Sequence, residues 1–231
     1  MDHKRLFMLV ASVLMVLLVP VIISLYNFNS VVFDKNLYKK EFLRYNVYMH
    51  LDKYDIENVN SDVLTYLKNK KNNALTENGF FNEREKTHLL DVKNLIGAIL
   101  AMYHISIILF FLLFIALIFL LNFNFKKIAK ISSVILFLGS ILTLLVAVLF
   151  FVLSKFNFDF VFDALHNTFF SFGTYTFNPE FEKIVVLYPQ NLFFDLLVRI
   201  VTNTILSSII LLFLCNAYFF IFFRSNPKKF F

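Results

Sequence analysis

Residues 95–121 read LIGAILAMYHISIILFFLLFIALIFLL, without one Asp, Glu, Lys or Arg. Such a run exceeds the roughly 20 residues that a helix needs to cross about 30 Å of hydrocarbon. Three further uncharged stretches match it, Leu6 to Tyr26, Ile131 to Ser154 and Ile200 to Phe223. With 59% hydrophobic residues and 33 Phe among 231, the chain carries more apolar side chain than one water-soluble core can bury. The expected fold is an all-α membrane protein of four transmembrane helices, with a small, mostly helical extracytoplasmic cap domain and an interfacial outer loop.

Charges flanking the apolar runs set the expected orientation. Lys4 and Arg5 precede the first run, Lys126, Lys127 and Lys130 fill the link between the second and third, and Arg224, Lys228 and Lys229 follow the fourth. Basic residues stay on the cytoplasmic side, so both termini are expected there. The first run lacks a small-residue cleavage site and contains Pro20, which favours an uncleaved anchor over a signal peptide. The expected division is 1–26 for the first transmembrane helix, 27–93 for the cap and 94–121 for the second helix. A cytoplasmic link at 122–130 and the third helix at 131–154 follow, then the outer loop at 155–192, the fourth helix at 193–223 and a cytoplasmic tail at 224–231.

The formal charge of +6 does not indicate nucleic acid, because the basic residues sit at helix ends or among acidic ones rather than along one stripe. The single cysteine, Cys215, lies inside an apolar run and offers no disulfide or metal pair. No GxSxG, HExxH or Walker loop occurs, so the sequence suggests no cofactor and no recognised hydrolase or NTPase site.

In the first outer segment, helical runs are expected around Leu37 to His50 and Asn58 to Leu67, the latter with Val59, Val63 and Leu67 on one face. The second outer segment crowds Phe156, Phe158, Phe160, Phe162, Phe169, Phe170 and Phe172 into a short stretch, which suits an element lying in the interface. A helix from Asp159 to Phe172, ended by Gly173, would align Asp159, Asp163, His166 and Asn167 as a polar stripe.

Histidine is the side chain suited to proton transfer near neutrality. His88 lies in NEREKTHLLDVKNL, with Arg84 four residues before and Asp91 three after, all on one helical face. Asp91 could hold one ring nitrogen, and Asp163 could do the same for His166. The plainer readings are an exposed histidine at a helix start and an interfacial histidine anchored among aromatics. Arg199 could pair with Asp195 and bind a phosphate or carboxylate, or simply snorkel to the interface. His104, mid-helix, fits a neutral ring bonded to a neighbouring helix, while His3 and His50 fit surface positions.

Two stretches, REKTHLLDVKNL at Arg84 to Leu95 and FDALHNTFFSFGTYTFNPEFEKIVVLYPQNLFFD at Phe162 to Asp195, resemble the lipoprotein intramolecular transacylase (Lit) family of integral membrane proteins. The layout resembles it as well: one helix, a cap, two helices, an outer loop with the second histidine, and a last helix. The resemblance implies an acyltransferase that moves the sn-2 acyl chain of a diacylglyceryl lipoprotein onto the α-amine of its N-terminal cysteine, giving a lyso-form lipoprotein. It places the catalytic pair at His88 and His166; beside it, the reading of the residues themselves expects Asp91, Asp163, Arg84, Arg199 and Tyr175 as supporting groups. Tyr175 stands where the family pattern leads one to expect Trp, and the chain has no Trp. The implied partners are the lipoprotein N-terminus and membrane lipids at the outer leaflet of the plasma membrane. His88 is expected as base toward the amine and His166 as donor to the leaving oxygen, although the roles could be exchanged. Two other readings stay open: an acyltransferase or hydrolase of another ester lipid, and a non-enzymatic docking or sensing protein.

Overall fold

The computed structural model describes residues 3–69, 79–170 and 175–224, with side chains through residue 219. Among these residues every regular element is a helix. Four are long and apolar enough to span a membrane: α1 (His3–Val32), α5 (Glu83–Leu120), α6 (Phe125–Phe156) and α9 (Gln190–Arg224). The shorter helices are α2 (Lys35–Arg44), α3 (Val47–His50), α4 (Ile56–Lys68), α7 (Phe158–Phe169) and α8 (Ile184–Leu187). The expected fold class is observed.

The chain forms two compact units, one from residues 1–27, 102–151 and 200–231, the other from 28–101 and 152–199. In the first, Met15, Leu117 and Ile135 make a buried cluster joining α1, α5 and α6. Gly139 explains how closely two of these helices approach. A Cβ built on it would lie 2.6 Å from the Cβ of Val19, so only a missing side chain admits the contact. Several polar groups in this apolar unit satisfy themselves within their own helix, since no water is available in the hydrocarbon. Ser140, Thr143 and Ser208 donate to the carbonyls of Leu136, Gly139 and Thr204, each at 2.7 Å. The outward faces carry exposed Leu, Ile and Phe such as Leu17, Ile105, Phe111 and Phe213, as a lipid-facing surface requires.

The second unit holds the short helices. Asp34 caps α2, accepting from Asn36 and Leu37, and Asp55 caps α4, accepting from Asn58. The run expected over Leu37 to His50 is broken, because Asn46 adopts a left-handed φ of 56° and separates α2 from α3. α4 buries Val59, Val63 and Leu67 on its inner face together with Ile56 and Tyr66. Tyr38, Phe42 and Tyr188 pack with ring centroids 6.0 to 6.1 Å apart, joining α2 to the segment after α8. The Tyr188 hydroxyl donates to Asn60 on α4 at 2.9 Å.

Helix boundaries depart from the apolar runs. α1 continues past 26 to Val32, and α5 begins at Glu83 rather than 94, because polar turns extend the helices beyond their apolar stretches. α7 ends at Phe169, short of Phe172, and the expected stop at Gly173 lies outside the described residues, as do Lys228 and Lys229.

Gly139→Val is expected to overpack the α1 to α6 contact and cost about 1–3 kcal/mol. Thermal unfolding of the purified protein in detergent should show a lower midpoint, whereas Gly97→Val, where an added Cβ meets nothing within 4 Å, should shift it less.

Candidate active site

The start of α5 is built by a reciprocal cap. Asn82 Oδ1 accepts from the Glu85 N–H at 2.9 Å, and Glu85 Oε2 accepts from the Asn82 N–H at 2.7 Å. Glu85 is 1% exposed, and its other oxygen accepts from the Ile184 N–H at 2.7 Å. One carboxylate thus joins the head of α5 to α8. Beside it, Arg84 pairs with Glu182 at 2.8 Å, donates to the Thr176 carbonyl, and lies over the Phe177 ring at 5.1 Å. Glu182 also accepts from the Asn178 N–H at 2.7 Å, so the strand of chain after α7 is pinned along the first turn of α5.

His88 follows one turn later, ahead of the apolar crossing stretch. It faces His166 of α7 with ring centroids 6.4 Å apart and planes inclined by only 13°. Phe170 and Phe177 close on the His88 ring at 4.9 and 5.3 Å. His88 is buried, and its Nδ1 has no hydrogen-bond partner among the described residues. Asp91 is therefore not the expected orienting group: from three residues further along the same helix it does not bond the ring.

His166 is held differently from the expectation too. Its Nδ1 donates to the Phe162 carbonyl at 2.7 Å, a bond across one helical turn, while Asp163 is exposed. The ring is enclosed by Phe162 at 4.1 Å, Phe170 at 5.4 Å and Tyr175 at 5.1 Å. Tyr175 in turn donates its hydroxyl to Asn167. Donation from Nδ1 to a carbonyl fixes the tautomer and leaves Nε2 as the working nitrogen. The α7 cap is Asn157, accepting from Phe160 at 3.0 Å, and Asp159 is engaged by Gln190 at 2.9 Å.

Arg199 is exposed and does not pair with Asp195. Asp195 is taken by Arg44 at 2.9 Å and by the Tyr45 hydroxyl, both from the chain around the end of α2. Burial, then the bond to Asp195, push the Tyr45 phenol up to about 12, so it serves as a donor. The histidines outside the site are accounted for separately: His50 Nδ1 bonds the Asn46 carbonyl at 2.8 Å, His104 packs on Tyr103 at 5.3 Å, and His3 is exposed. No group of three metal-ligating side chains occurs among the described residues.

Four contributors escaped the sequence reading: Glu85, Glu182, Phe170 and Phe177. Asn82-x-x-Glu85 was a readable capping box. The others depend on contacts between distant segments and carry no local signal.

Burial, followed by the charge of His166, lowers the His88 imidazole to about 4 from its ordinary 6.5. A depressed folded pKa means that stability is intact above about 6.5 and is lost as pH falls through about 4, where the buried ring must charge. NMR of histidine-labelled protein should find His88 neutral at pH 6 and titrating near 4. A second measurement addresses the pinned loop. A double-mutant cycle of Arg84→Ala and Glu182→Gln should give a coupling of about 1 kcal/mol, modest because the arginine is half exposed.

A profile of the lipoprotein intramolecular transacylase Lit matches residues 13–194. In three dimensions the chain is similar to the membrane integral lipoprotein intramolecular transacylase Lit from Bacillus cereus, with a TM-score of 0.76 and 25% identity over 98% of each chain. Two variants of that protein, with one histidine replaced by arginine or by alanine, match with TM-scores of 0.72 and 0.73 at 24% identity. They cover 98% of this chain and 94% and 96% of their own. No curated protein matches significantly in sequence. Because the family profile spans most of its length, this membrane-integral chain belongs to the Lit family.

Proposed function

We propose that the protein transfers the sn-2 acyl chain of a diacylglyceryl lipoprotein to the α-amine of the lipoprotein's N-terminal cysteine, with His88 and His166 as base and acid. The observation that carries this reading is the pair of near-parallel imidazoles 6.4 Å apart, one buried with an unpartnered nitrogen and the other fixed by a carbonyl. The membrane in question is the plasma membrane. The basic flanks of the apolar helices support a topology with both termini in the cytoplasm and with the cap, the loop and the site at the outer leaflet.

The amine is its own substrate's nucleophile, so the protein needs neither serine nor cysteine. With a pKa near 8, the amine is neutral in roughly a tenth of molecules at pH 7. As its nitrogen bonds the ester carbonyl carbon, that nitrogen becomes strongly acidic, and the neutral His88 takes its proton. Burial, which keeps His88 uncharged, suits it to this role. His166 acts as the imidazolium, with Nδ1–H on the Phe162 carbonyl and Nε2–H presented to the carbonyl oxygen and then given to the departing glycerol oxygen, which leaves the ring neutral with Nδ1–H still bonded. The C–N bond forms, the ester C–O bond breaks, and one proton passes from nitrogen to oxygen. Return of the proton between two rings 6.4 Å apart, through one water, restores the starting state.

Orientation supplies much of the acceleration. Amine and ester belong to one molecule, and intramolecular attack reaches effective molarities that no added nucleophile attains. The aromatic enclosure around His166 offers the acyl chain an apolar seat, and Arg199, exposed near the start of α9, is free to hold a lipid phosphate.

His88→Ala and His166→Ala are each expected to lower the rate at least about a hundredfold, the lower range of general acid or base contributions. Mass spectrometry of the N-terminal peptide of a co-expressed lipoprotein reads the result as loss of the lyso-form product. A lipoprotein with an ether-linked sn-2 chain should be inert, since no carbonyl is there to attack. Wild-type turnover in either well-folded alanine variant would remove the imidazole pair from the chemistry.

A further inference from the structure

On α5 the residues Arg84, His88, Asp91 and Leu95 recur at helical spacing and line one stripe, so the Cβ atoms of His88 and Asp91 stand about 5–6 Å apart. Asp91 is partly buried and, among the described residues, has no hydrogen-bond or ion-pair partner. We propose that Asp91 receives the α-ammonium of the lipoprotein's N-terminal cysteine and holds it beside His88. This rests on the transacylase reading above and adds to it the group that recognises a free amine.

The buried carboxylates around the head of α5 are committed to other groups. Glu85 accepts backbone N–H groups on both oxygens, and Glu182 is shared by Arg84 and the Asn178 N–H. The neighbouring cations are engaged as well. Arg84 lies against Glu182, and Lys93, two positions beyond Asp91 and so about 200° round the helix, places its ammonium over the Tyr66 ring at 4.1 Å.

A carboxylate partly withdrawn from water and left unpaired is unfavourable, and a bound cation relieves it. At pH 7 an α-amine with a pKa near 8 is about nine-tenths ammonium, so the substrate arrives carrying such a cation. The attraction strengthens as the pair leaves water, and Asp91 stands four residues before the uncharged run that starts at Leu95. Asp163 is the poorer receiver. It is exposed on α7, where water and salt screen it, and it lies three residues from His166, whose imidazolium in the proposed chemistry repels an arriving ammonium. His88, neutral, exerts no such repulsion beside Asp91. The contact governs capture rather than bond making, because a carboxylate favours the charged amine, which must still release one proton to water before it attacks. Acyl transfer turns the amine into a neutral amide, so the contact vanishes in the product and its release is eased. A lipoprotein whose N-terminus is already blocked carries no charge for Asp91 and is refused at the same step.

The test uses two dialkylglyceryl-cysteinyl peptides, ether-linked and therefore unreactive, one with a free α-amine and the other with a hydroxyl in its place. Equilibrium binding to the full chain in detergent at pH 7 should favour the amine at least about tenfold, the lower range for a hydrogen bond to a charged group. Asp91→Asn should abolish that preference by weakening the amine ligand alone, whereas Asp52→Asn, at an exposed position of the cap, should keep it. The hydroxyl ligand doubles as the control for folding, and equal loss of both ligands in Asp91→Asn would refute the proposal. So would loss of the preference in Asp163→Asn instead. Because neither ligand reacts, the two readings separate: wild type that binds neither peptide overturns the transacylase reading and this one with it, while tight binding without preference for the amine overturns this one alone. With an ester-linked lipoprotein, Asp91→Asn should raise KM about tenfold without lowering kcat. A fall in kcat at unchanged KM would place Asp91 in the chemistry and count against its role in capture.

Discussion

The carboxylate of Glu85 accepts backbone N–H groups from Asn82, three positions before it, and from Ile184, 99 positions further along the chain. Buried to 1% exposure, it cannot look to water for replacements, and each bond to a charged acceptor is worth roughly 1.5–3 kcal/mol. The site depends on this bridge. It sets where α5 begins and holds α8 beside that start, and the Arg84 to Glu182 pair fixes the intervening loop from the next position. His88, one residue short of a full turn beyond Glu85, then meets a wall made by Phe170 and Phe177, whose placement follows from the pinned loop.

Within that frame the two imidazoles occupy unlike surroundings, and the difference gives the proposed mechanism its direction. His88 is sealed among aromatics with a nitrogen unpartnered, which keeps it neutral. His166 is partly exposed and bonded to a carbonyl, a partner that accepts from the ring whether it is neutral or charged. Environments that separate the titration of two like groups are how one chemistry obtains both an acid and a base. Had Asp91 and Asp163 held the rings, each would have favoured imidazolium, and the asymmetry would be smaller.

The membrane architecture was legible because hydropathy is a summed property: four apolar runs need no knowledge of their neighbours to be recognised. The two histidines were legible through motif resemblance, and the i, i+4 placement of Arg84 before His88 followed from helical geometry. Partnerships were less so. HxxD spacing suggested aspartate orienters, but on a helix a histidine can reach the carbonyl of the preceding turn, and His166 does so at Phe162. Asp195 and Arg199 are suitably spaced to pair, yet Asp195 meets Arg44 and Tyr45, more than 140 positions earlier in sequence, and no local rule foresees that. The break at Asn46 was similarly hidden, because asparagine is only one of several residues that tolerate a left-handed φ.

An unpartnered buried nitrogen usually costs about 1–3 kcal/mol, and native proteins seldom keep one without a use. Replacing His88 by an apolar side chain of similar size would remove that cost, since its immediate neighbours are aromatic rings. A polar atom kept at such a position, 6.4 Å from a second imidazole, makes sense if its missing partner arrives with the substrate. On the proposed reading that partner is the cysteine amine, carried in by the same molecule that brings the ester. The site can therefore be small. Under the proposed mechanism it would need no protein nucleophile to form an acyl intermediate, and one proton path rather than two half-reactions. On that reading, what the protein supplies is a place where an amine and an ester already joined to each other meet two imidazoles in unlike surroundings, one buried and one partly exposed.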